Sequence, residues 1–546
     1  MRSVNHLAAA SVLCARLLAP ALALVLAVSP VLAQAQPAGF DLLELQVEGN
    51  TVLPDALIEA TVEPFLGPGQ GMKGVDAART ALEAVYQKAG YLTVLVDVPE
   101  QRVDGGVVRL VVIEGRVGAL YVVGSKYHDQ GYIRSKVTEL KPGGVPDFNR
   151  VQTQLAEVNR SEDRRVQPVL KPGRLPGTVD VELQVDDKLP FSGSVEVHNQ
   201  HSAGTEPVRL QATLRYENLF QRDHALQLNF ITAPLAPQQS KVLVANYTVP
   251  DSETESWNFS LTLSNSDVET LGGSQVLGRG TTLGLRRATV FSHHGGERTA
   301  TLSWGADLKL LRERTVFGAG EIATPLHYLP FQLAYSDQMS DGDWRMQWNA
   351  SVTAAARGLL ERQVDCPAAD SGTGQDDQFA CKRKGGDGSF LIGRLDLRAQ
   401  QRLGSGALSW RLGGQAASHA LVGPEQYSLG GADSVRGYDE SEATGDHALL
   451  GSMEWRVANL APSDVPGWRE ITPLIFIDAG RVFTTDAPAG QLTRQSLSGA
   501  GFGLRWSGGD TSGSTEGGLD FAWPLRASTN AAKYDLHLHA RLAARF

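Results

Sequence analysis

The sequence predicts an antiparallel transmembrane β-barrel of about 16 strands, preceded by two small α+β domains. From Pro190 to Phe546, segments of about ten residues alternate apolar and polar side chains, which is typical of strands that span a membrane. Before Pro190, the order strand, helix, helix, strand, strand occurs twice. After residue 40 the chain has no uninterrupted apolar run of about 18 residues, which argues against membrane-spanning helices.

Composition and the first residues of the chain bound its location. The 546 residues carry a net charge of −10, which gives no support to nucleic-acid binding, since that needs a basic face against phosphate. Residues 1–35 have the features of a secretory signal peptide, with an apolar core at 17–28 and small residues at its end. We expect cleavage after Ala33 or Ala35, so that Cys14 leaves with the signal.

Residues 40–115 form the first predicted α+β domain. Apolar residues alternate with polar ones from Leu43 to Glu48, which indicates a half-buried strand. A short helix is expected over Asp55–Leu66, and a longer one after it, with an apolar stripe that Gly90 can cap. That stripe consists of Val75, Ala78, Leu82, Val85 and Ala89. Two strands, Leu92–Val98 and Val107–Ile113, close the domain.

Residues 116–188 repeat the same order of elements. Strands are expected at 120–123, 166–170 and 179–185, and helices at 132–140 and from Asp147 onward. A repeat of about 75 residues indicates two related domains, and two unrelated α+β domains are the alternative. The pattern G-x-G-x-x-G at Gly69–Gly74 follows a helix and Pro68 rather than a strand, so we interpret it as a helix–helix loop and not a nucleotide site.

The barrel prediction depends on the faces of the alternating segments. In the last segment, apolar residues from Leu536 to Phe546 alternate with His537, His539, Arg541 and Arg545. Period 2 sends these two sets to opposite faces of a strand. A soluble sandwich could show the same alternation. The long, charged polar set and an apolar set that ends in Trp and Tyr favour a wet lumen and a lipid-facing belt.

The stretch Tyr427–Tyr438 is glycine-rich and holds a single arginine, Arg436. Taken alone it is typical of a surface loop of a β-protein, where Gly, Ser and Asp serve turns. The strand-like run Phe476-Ile477-Asp478-Ala479-Gly480 follows some forty residues later and offers Asp478 as a mate for Arg436.

The two motifs Val435-Arg436-Gly437-Tyr438 and Phe-x-Asp-x-Gly resemble those of the POTRA-plus-barrel superfamily of outer-membrane transporters and insertases. Within it, the chain looks like a two-partner-secretion (TpsB) transporter of the haemolysin secretion/activation type. The resemblance covers nearly everything after residue 40, and Asn159–Val166 adds to it. It implies POTRA domain 1 at 40–115, POTRA domain 2 at 116–188, and a barrel at 190–546 whose long loop 419–446 folds inward.

The resemblance also implies a set of site residues. Arg436 is expected to pair with Asp478 on the lumen wall, since a guanidinium offers a planar fork to a carboxylate. Gly430, Gly431 and Gly437 would let the loop turn tightly against the wall. The remaining motif residues are Val435, Tyr438, Phe476 and Gly480, of which Tyr438 and Phe476 are expected to pack beside the pair. The terminal Phe546 looks like the recognition signal of outer-membrane proteins. No helix long enough to plug the barrel is expected before POTRA domain 1.

Cys366 and Cys381 lie in one polar segment of a chain with an export signal, and a single disulfide is the simplest expectation. Metal binding is the alternative, but two cysteines without a nearby histidine do not make four ligands. The sequence lacks the patterns G-x-S-x-G, H-E-x-x-H and the P-loop. We therefore expect no catalytic site, no metal and no cofactor.

The function implied by the resemblance is secretion of a large haemolysin- or adhesin-like partner (TpsA-like) from periplasm to cell surface. The POTRA domains would capture the unfolded partner by β-augmentation, and its folding outside would drive export without ATP. Further expected partners are outer-membrane lipid and, during biogenesis, the barrel-assembly machinery. A barrel-assembly insertase shares both motifs and is the main alternative. A porin would not explain the POTRA pair, and a barrel enzyme has no supporting catalytic set.

Overall fold

A computed structural model describes residues 39–161, 163–271, 274–293, 297–317, 320–360, 362–366, 374–383, 385–462, 465–487, 492–510 and 513–546. The predicted signal peptide therefore lies outside the described residues. Within them, none of the helices is both long and apolar enough to cross a membrane.

The first α+β domain has the predicted order of elements. They are β1 (Glu44–Glu48), α1 (Asp55–Val62), α2 (Gly71–Lys88), β2 (Val94–Asp97) and β3 (Val107–Glu114). The sheet order is β1-β3-β2, with β1 parallel and β2 antiparallel to β3. One face of α2 packs on the sheet. The predicted apolar stripe included Val85, but Val85 is only half-buried, and its neighbour Tyr86 is fully buried instead. The segment Gly69–Gly74 is only partly a loop, because α2 begins at Gly71.

The second α+β domain repeats the pattern. Its elements are β4 (Arg116–Val123), α3 (Gln130–Lys136), α4 (Phe148–Val158), β5 (Arg164–Pro172) and β6 (Thr178–Asp187), in the sheet order β4-β6-β5. The predicted helix at 132–140 is in two parts. Asp129 caps α3 by accepting a hydrogen bond from the Tyr132 backbone (2.6 Å), and a 3-10 turn follows at Thr138–Leu140.

The barrel begins at Phe191. Its first strand segments are β7 (Phe191–His198), β8 (Arg209–Leu219), β9 (His224–Thr232), β10 (Ser240–Pro250), β11 (Glu255–Leu271), β12 (Ser274–His293), β13 (Arg298–Phe317), β14 (Gly320–Tyr328), β15 (Phe331–Asp341) and β16 (Trp344–Ala355). An insertion with β17 (Gln363–Asp365), β18 (Gln375–Asp377) and α5 (Gln378–Lys382) follows. Then come β19 (Phe390–Leu403) and β20 (Gly406–Ala417). The long loop holds β21 (Tyr427–Leu429) and β22 (Ala443–Gly445). The last strands are β23 (His447–Arg456), β24 (Trp468–Phe483), β25 (Arg494–Gly509), β26 (Ser514–Pro524) and β27 (His537–Arg545).

Sixteen strands close the barrel in the described residues, as predicted. Two of the strand segments, β14 and β15, count as one strand, because both run antiparallel to β13 and continue each other along it. The break falls at Leu329–Pro330, where proline has no N–H to donate to the ladder. Pairing of β27 with β7 joins the two ends of the sheet and leaves no open edge in the barrel.

The two faces of the barrel strands differ as the alternation predicts. In β27, Leu538 and Leu542 on the outer face are 42% and 50% exposed, whereas His539 between them is 5% exposed. In β24, Ile475 and Ile477 face outward, and Asp478 is fully buried on the inside. The apolar set is therefore the lipid face, and the polar set lines the lumen.

The first turn of the barrel, between β8 and β9, contacts the second α+β domain. Gln221 accepts a hydrogen bond from the backbone of Asp129 (2.9 Å), and Asp223 accepts two from Arg164 (3.0 and 3.2 Å). Phe220, Gln221 and Asp223 all have positive φ angles, a conformation that L-residues adopt rarely. The resemblance described above implies that the α+β domains lie in the periplasm, so we expect this end of the barrel to be the periplasmic end and loop 419–446 to leave from the cell-surface end.

A candidate lock between the loop and the barrel wall

The long loop between β20 and β23 folds back against the inner wall of the barrel. Its two arms pair through β21 and β22, with Tyr427 opposite Gly445 and Leu429 opposite Ala443. Beyond this hairpin, the segment 430–438 reaches the wall formed by β23, β24, β25 and β26. At its far end, the Gly437 N–H donates to Nε2 of His539 on β27 (3.1 Å). The loop therefore occupies the lumen.

Arg436 and Asp478 meet on this wall. Nε of Arg436 lies 2.7 Å from Oδ2 of Asp478, and Nη2 lies 3.0 Å from Oδ1, which is the bidentate arrangement of a guanidinium on a carboxylate. The Arg436 backbone N–H donates to the same carboxylate (3.2 Å). The arginine side chain is 6% exposed and the aspartate side chain is 0% exposed, so solvent does not compete for either group.

Further charges surround the pair and balance it. Nη1 of Arg436 donates to Glu454 on β23 (2.8 Å) and lies 3.8 Å from Asp520 on β26. Each of these acids has a second arginine, Arg456 at 2.9 Å from Glu454 and Arg505 at 2.7 Å from Asp520. Three arginines thus face three carboxylates. This balance matters because a buried charge without a partner is costly.

Two glycines of the loop are required by the geometry. Gly431 has a φ of +95°, and a Cβ built on it would lie 2.0 Å from the Glu440 carboxylate. Gly437 also has a φ of +95°, and its Cβ would lie 2.9 Å from the Pro524 backbone of the wall. Gly430 shares the left-handed conformation. On the wall, a Cβ at Gly480 would meet the Leu429 side chain at 2.7 Å. The motif glycines therefore let the loop lie close to the wall.

Apolar and aromatic contacts hold the segment on both sides of Arg436. Val435 and Tyr438 are fully buried in one cluster with Leu429, Leu450, Val482 and Leu497. The Tyr438 hydroxyl lies within hydrogen-bond distance of two backbone carbonyls, those of Arg526 (2.8 Å) and Ser498 (3.0 Å). The Phe476 ring lies under the guanidinium, with its centroid 3.4 Å from the central carbon of Arg436, so a cation–π contact adds to the ion pair.

A second ion pair holds the base of the same loop. Arg383, in the insertion between β16 and β19, forms a bidentate pair with the fully buried Asp446 (2.5 and 2.7 Å). It also donates to the backbone carbonyls of Leu421 (2.6 Å) and Thr485 (2.7 Å). We call this the second lock. It ties the insertion to both ends of loop 419–446 at the cell-surface mouth of the barrel.

The insertion has its own anchors. Cys366 and Cys381 form a disulfide with Cα atoms 5.7 Å apart. Phe379 packs against Tyr328 and Phe390 in an apolar cluster with Leu421 and Val422 of the long loop. Glu425 of the long loop is 2% exposed and accepts from Lys309 (2.5 Å) and Tyr328 (2.8 Å) of the wall.

Phe546 lies at the seam where the barrel closes. Its backbone N–H and C=O both bond Gly193 of β7 at 3.0 Å, and its ring lies 6.2 Å from the Phe191 ring. The side chain is 57% exposed on the outer surface. The role of Phe546 as a recognition signal stays a prediction.

Several members of this site carry no local signal in the sequence. Glu454, Asp520 and Arg505 are lumen-facing charges like many others, and only the packing of three strands shows that they surround Arg436. Arg383 and Asp446 are separated by 63 residues, and neither lies in one of the two sequence motifs. Gly499 is also essential to the approach, because a Cβ there would lie 1.9 Å from the Arg436 carbonyl oxygen.

A closed sixteen-stranded barrel, an α+β domain joined to its periplasmic end and a loop locked inside the lumen define the POTRA-plus-barrel class of outer-membrane proteins. A family model described as haemolysin secretion/activation protein ShlB/FhaC/HecB matches residues 177–506, and one described as POTRA domain, ShlB-type, matches residues 40–115. The chain belongs to the haemolysin secretion/activation protein family.

Known relatives agree with this assignment. The outer membrane transporter CdiB of Escherichia coli O6:K15:H31 (strain 536 / UPEC) is 26% identical over 179 residues, which span 33% of this chain and only 30% of that protein. CdiB of Dickeya dadantii (strain 3937) is 23% identical over 464 residues, or 81% of this chain and 76% of that protein.

Two solved structures share the fold. CdiB from Escherichia coli superposes with a TM-score of 0.56 at 20% identity, covering 95% of this chain and 93% of that one. BamA from Haemophilus ducreyi lacking POTRA domains 1-3 has a TM-score of 0.55 at 13% identity, covering 93% of this chain and all of that one.

Proposed function

We propose that this protein is an outer-membrane transporter that exports one large, TpsA-like exoprotein from the periplasm to the cell surface by two-partner secretion. The observation that carries the proposal is the bidentate Arg436–Asp478 pair, which holds a long loop inside the lumen. A barrel that only admitted small solutes would have no need to keep its channel filled. A barrel that passes an unfolded chain needs a closed resting state, which the passenger then opens.

The locked loop is a closed state that can be reversed. The pair is buried among balanced charges, so it stays formed while the channel is empty. Every contact that it makes is non-covalent, and a passing chain can replace these contacts one at a time. Folding of the exoprotein at the cell surface would supply the driving force. We propose that the protein uses no nucleotide or cofactor and catalyses no reaction.

We propose that the α+β domains capture the exoprotein. Each three-stranded sheet has two edge strands, β1 and β2 in the first domain and β4 and β5 in the second, to which an extended segment can add. The first domain also presents an apolar face. Leu95 on β2 and Ile113 on β3 lie directly opposite each other and are 61% and 38% exposed. An unfolded secretion domain could add a strand here and bury this face.

A barrel-assembly insertase is the second candidate, because the likeness to BamA extends over most of the chain. Deletion of the gene distinguishes the two. Loss of one large protein from the culture medium, with unchanged amounts of other outer-membrane barrels, supports transport. A general fall in outer-membrane barrels, with the medium unchanged, would reject transport in favour of assembly. For a transporter, we propose that the barrel-assembly machinery acts on this chain only during its own insertion.

A further inference from the structure

A row of basic side chains crosses four neighbouring strands on the outer face of the barrel. Lys241 lies opposite Asn265, Asn265 opposite Arg279, and Arg279 opposite Arg312. Directly opposite residues of antiparallel strands share a face, and this row continues the outward set that includes Leu243, Leu263 and Leu310 one pair further down. The row therefore faces lipid and not the lumen.

The row lies at the cell-surface edge of the membrane. At the periplasmic edge of the same four strands, the outward row is Val249, Trp257, Arg287 and Trp304. About eight residues of β11 separate the two rows, which for a strand tilted by about 40° corresponds to roughly 20 Å along the barrel axis. That is close to the ~25 Å height of the apolar band of such barrels. Lys241, Arg279 and Arg312 thus lie level with the headgroups of the outer leaflet.

The charges at the two edges differ in their partners. Arg287 at the periplasmic edge pairs with Asp251 (2.5 Å) and Glu255 and stacks on Trp257. At the cell-surface edge, Lys241, Arg279 and Arg312 are all exposed, and none of them forms an ion pair in the described part of the chain. Arg279 donates to the neutral Asn265 side chain (2.7 Å). Among the described residues, the positive charge of the upper row is therefore not balanced by an ion pair.

The three cations border a groove of about 630 Å³. Its other wall is apolar and includes Phe230, Leu243, Leu263 and Leu310. His327 lies on the same groove, and Arg362 approaches it, with Nη1 3.0 Å from the imidazole Nδ1. A ligand for this surface needs phosphate groups at the top and acyl chains below.

We propose that this groove binds the phosphorylated glucosamine headgroup of lipid A, the lipid anchor of lipopolysaccharide in the outer leaflet. Arg279 and Arg312 are adjacent and hold one phosphate together, and Lys241 extends the site along the rim. The acyl chains lie on the apolar belt below. Each cation near a charged lipid surface contributes about fivefold to affinity, so removal of two lowers affinity about 30-fold.

The test uses full-length protein in neutral detergent and diphosphoryl lipid A as the probe. Native mass spectrometry counts the bound lipid A molecules. The rise in the temperature at which the heat-modifiable barrel unfolds gives a second measure of binding. Wild-type protein is expected to prefer diphosphoryl lipid A over phosphate-free lipid A and over phosphatidylglycerol. The variant Arg279→Gln/Arg312→Gln should lose affinity about 30-fold, and the charge-preserving Arg279→Lys/Arg312→Lys should lose far less.

The matched control removes two exposed arginines elsewhere on the barrel, in Arg345→Gln/Arg402→Gln, and should bind as wild type. If the Arg279/Arg312 double variant does not fold, the two single Gln variants replace it, each with about a fivefold loss. Equal binding of phosphate-free lipid A overturns the phosphate site, and equal binding of phosphatidylglycerol overturns the assignment to lipid A. Unchanged affinity in the Gln variants overturns the location.

Discussion

Nε and Nη2 of Arg436 contact the two carboxylate oxygens of Asp478 at 2.7 and 3.0 Å, across 42 residues of sequence and between a lumen loop and a barrel strand. Asp478 also accepts from the Ser452 hydroxyl on the neighbouring strand β23 (2.6 Å), so the carboxylate is held within the wall as well as by the loop. The pair therefore joins a residue fixed on the wall to a loop segment whose glycines let it lie close to that wall.

Arg436→Ala should leave a barrel that inserts and folds but whose loop is released. Removing one partner of a buried pair costs about 3–5 kcal/mol, because the remaining charge stays buried without compensation. Limited proteolysis from the cell-surface side should then cleave within loop 419–446, which stays intact in wild-type protein. The matched control is Arg481→Ala, which removes an exposed arginine from β24, the strand that carries Asp478. Loop 419–446 of this variant should stay resistant to protease. Equal resistance of all three proteins would show that the pair does not hold the loop.

The second lock predicts a more open channel when it is broken. Arg383→Ala removes four hydrogen bonds to Asp446, Leu421 and Thr485 and should raise single-channel conductance in planar lipid bilayers. Asp387→Asn, in the same insertion, should leave conductance unchanged. Reduction of the Cys366–Cys381 disulfide should also raise the conductance, because a disulfide that closes a loop of this length stabilises the folded state by about 3 kcal/mol. Conductance unaffected by Arg383→Ala and by reductant would exclude a gating role for the insertion.

The apolar face of the first domain predicts where the exoprotein binds. Leu95→Asn removes the more exposed side chain of the pair while keeping the strand, so it should weaken binding of the purified amino-terminal secretion domain about tenfold, as loss of one buried leucine contact implies. Asp97→Asn, two residues further along β2 on the same face, is the control. Isothermal titration with both variants measures this directly. If Asp97→Asn weakens binding more than Leu95→Asn does, the secretion domain contacts the polar end of β2 and not the apolar face at Leu95.

A buried histidine near the first barrel turn predicts a pH dependence. His128 has a side chain that is 1% exposed, with Nδ1 3.1 Å from Asp187 and Nε2 3.5 Å from Asp163. Burial opposes its charge, but the nearby Asp163 carboxylate and the hydrogen bond to Asp187 outweigh burial and raise the pKa of His128 above 6.5. Because the folded pKa is raised, this stabilisation is complete below about pH 6.5 and is lost as the pH rises through the folded pKa.

Hydrogen exchange in the full-length protein can measure this effect. Amides 126–128, which donate to Asp187, should exchange faster as the pH rises from 6.5 through the raised folded pKa of His128, after correction for the intrinsic rate. His128→Gln should remove that extra dependence, and His419→Gln, at an exposed loop position, should keep it. Protection that rises with pH in wild-type protein would contradict the sign.

Local pattern was enough to predict most of the fold. Alternation in β27 assigns Leu538 to lipid and His539 to the lumen because period 2 is fixed by strand geometry. Pattern failed where tertiary packing decides. The apolar stripe of α2 included Val85, but the sheet buries Tyr86, whose hydroxyl reaches Asn50 (2.8 Å). The alternation of apolar and polar residues also does not predict the interruption at Pro330, which divides one barrel strand into β14 and β15.

The site divides in the same way. Arg436 and Asp478 could be paired because each lies in a short motif that resembles a known family. Arg383 and Asp446 could not, since an isolated arginine in a polar insertion has no spacing that points to its partner. Glu454 and Asp520 belong to the lumen face by alternation, but their approach to Arg436 depends on strand register and barrel shear, which local sequence does not encode.

Export of the exoprotein in strains that carry single and double lock variants tests the central claim most directly. Arg436→Ala and Asp478→Ala should each reduce the amount of the exoprotein in the medium about tenfold or more, with normal amounts of folded barrel in the outer membrane. The double variant should be little worse than either single one, because the two residues act as a unit. Wild-type export by either single variant, or fully additive losses in the double variant, would contradict a lock between Arg436 and Asp478 that export requires.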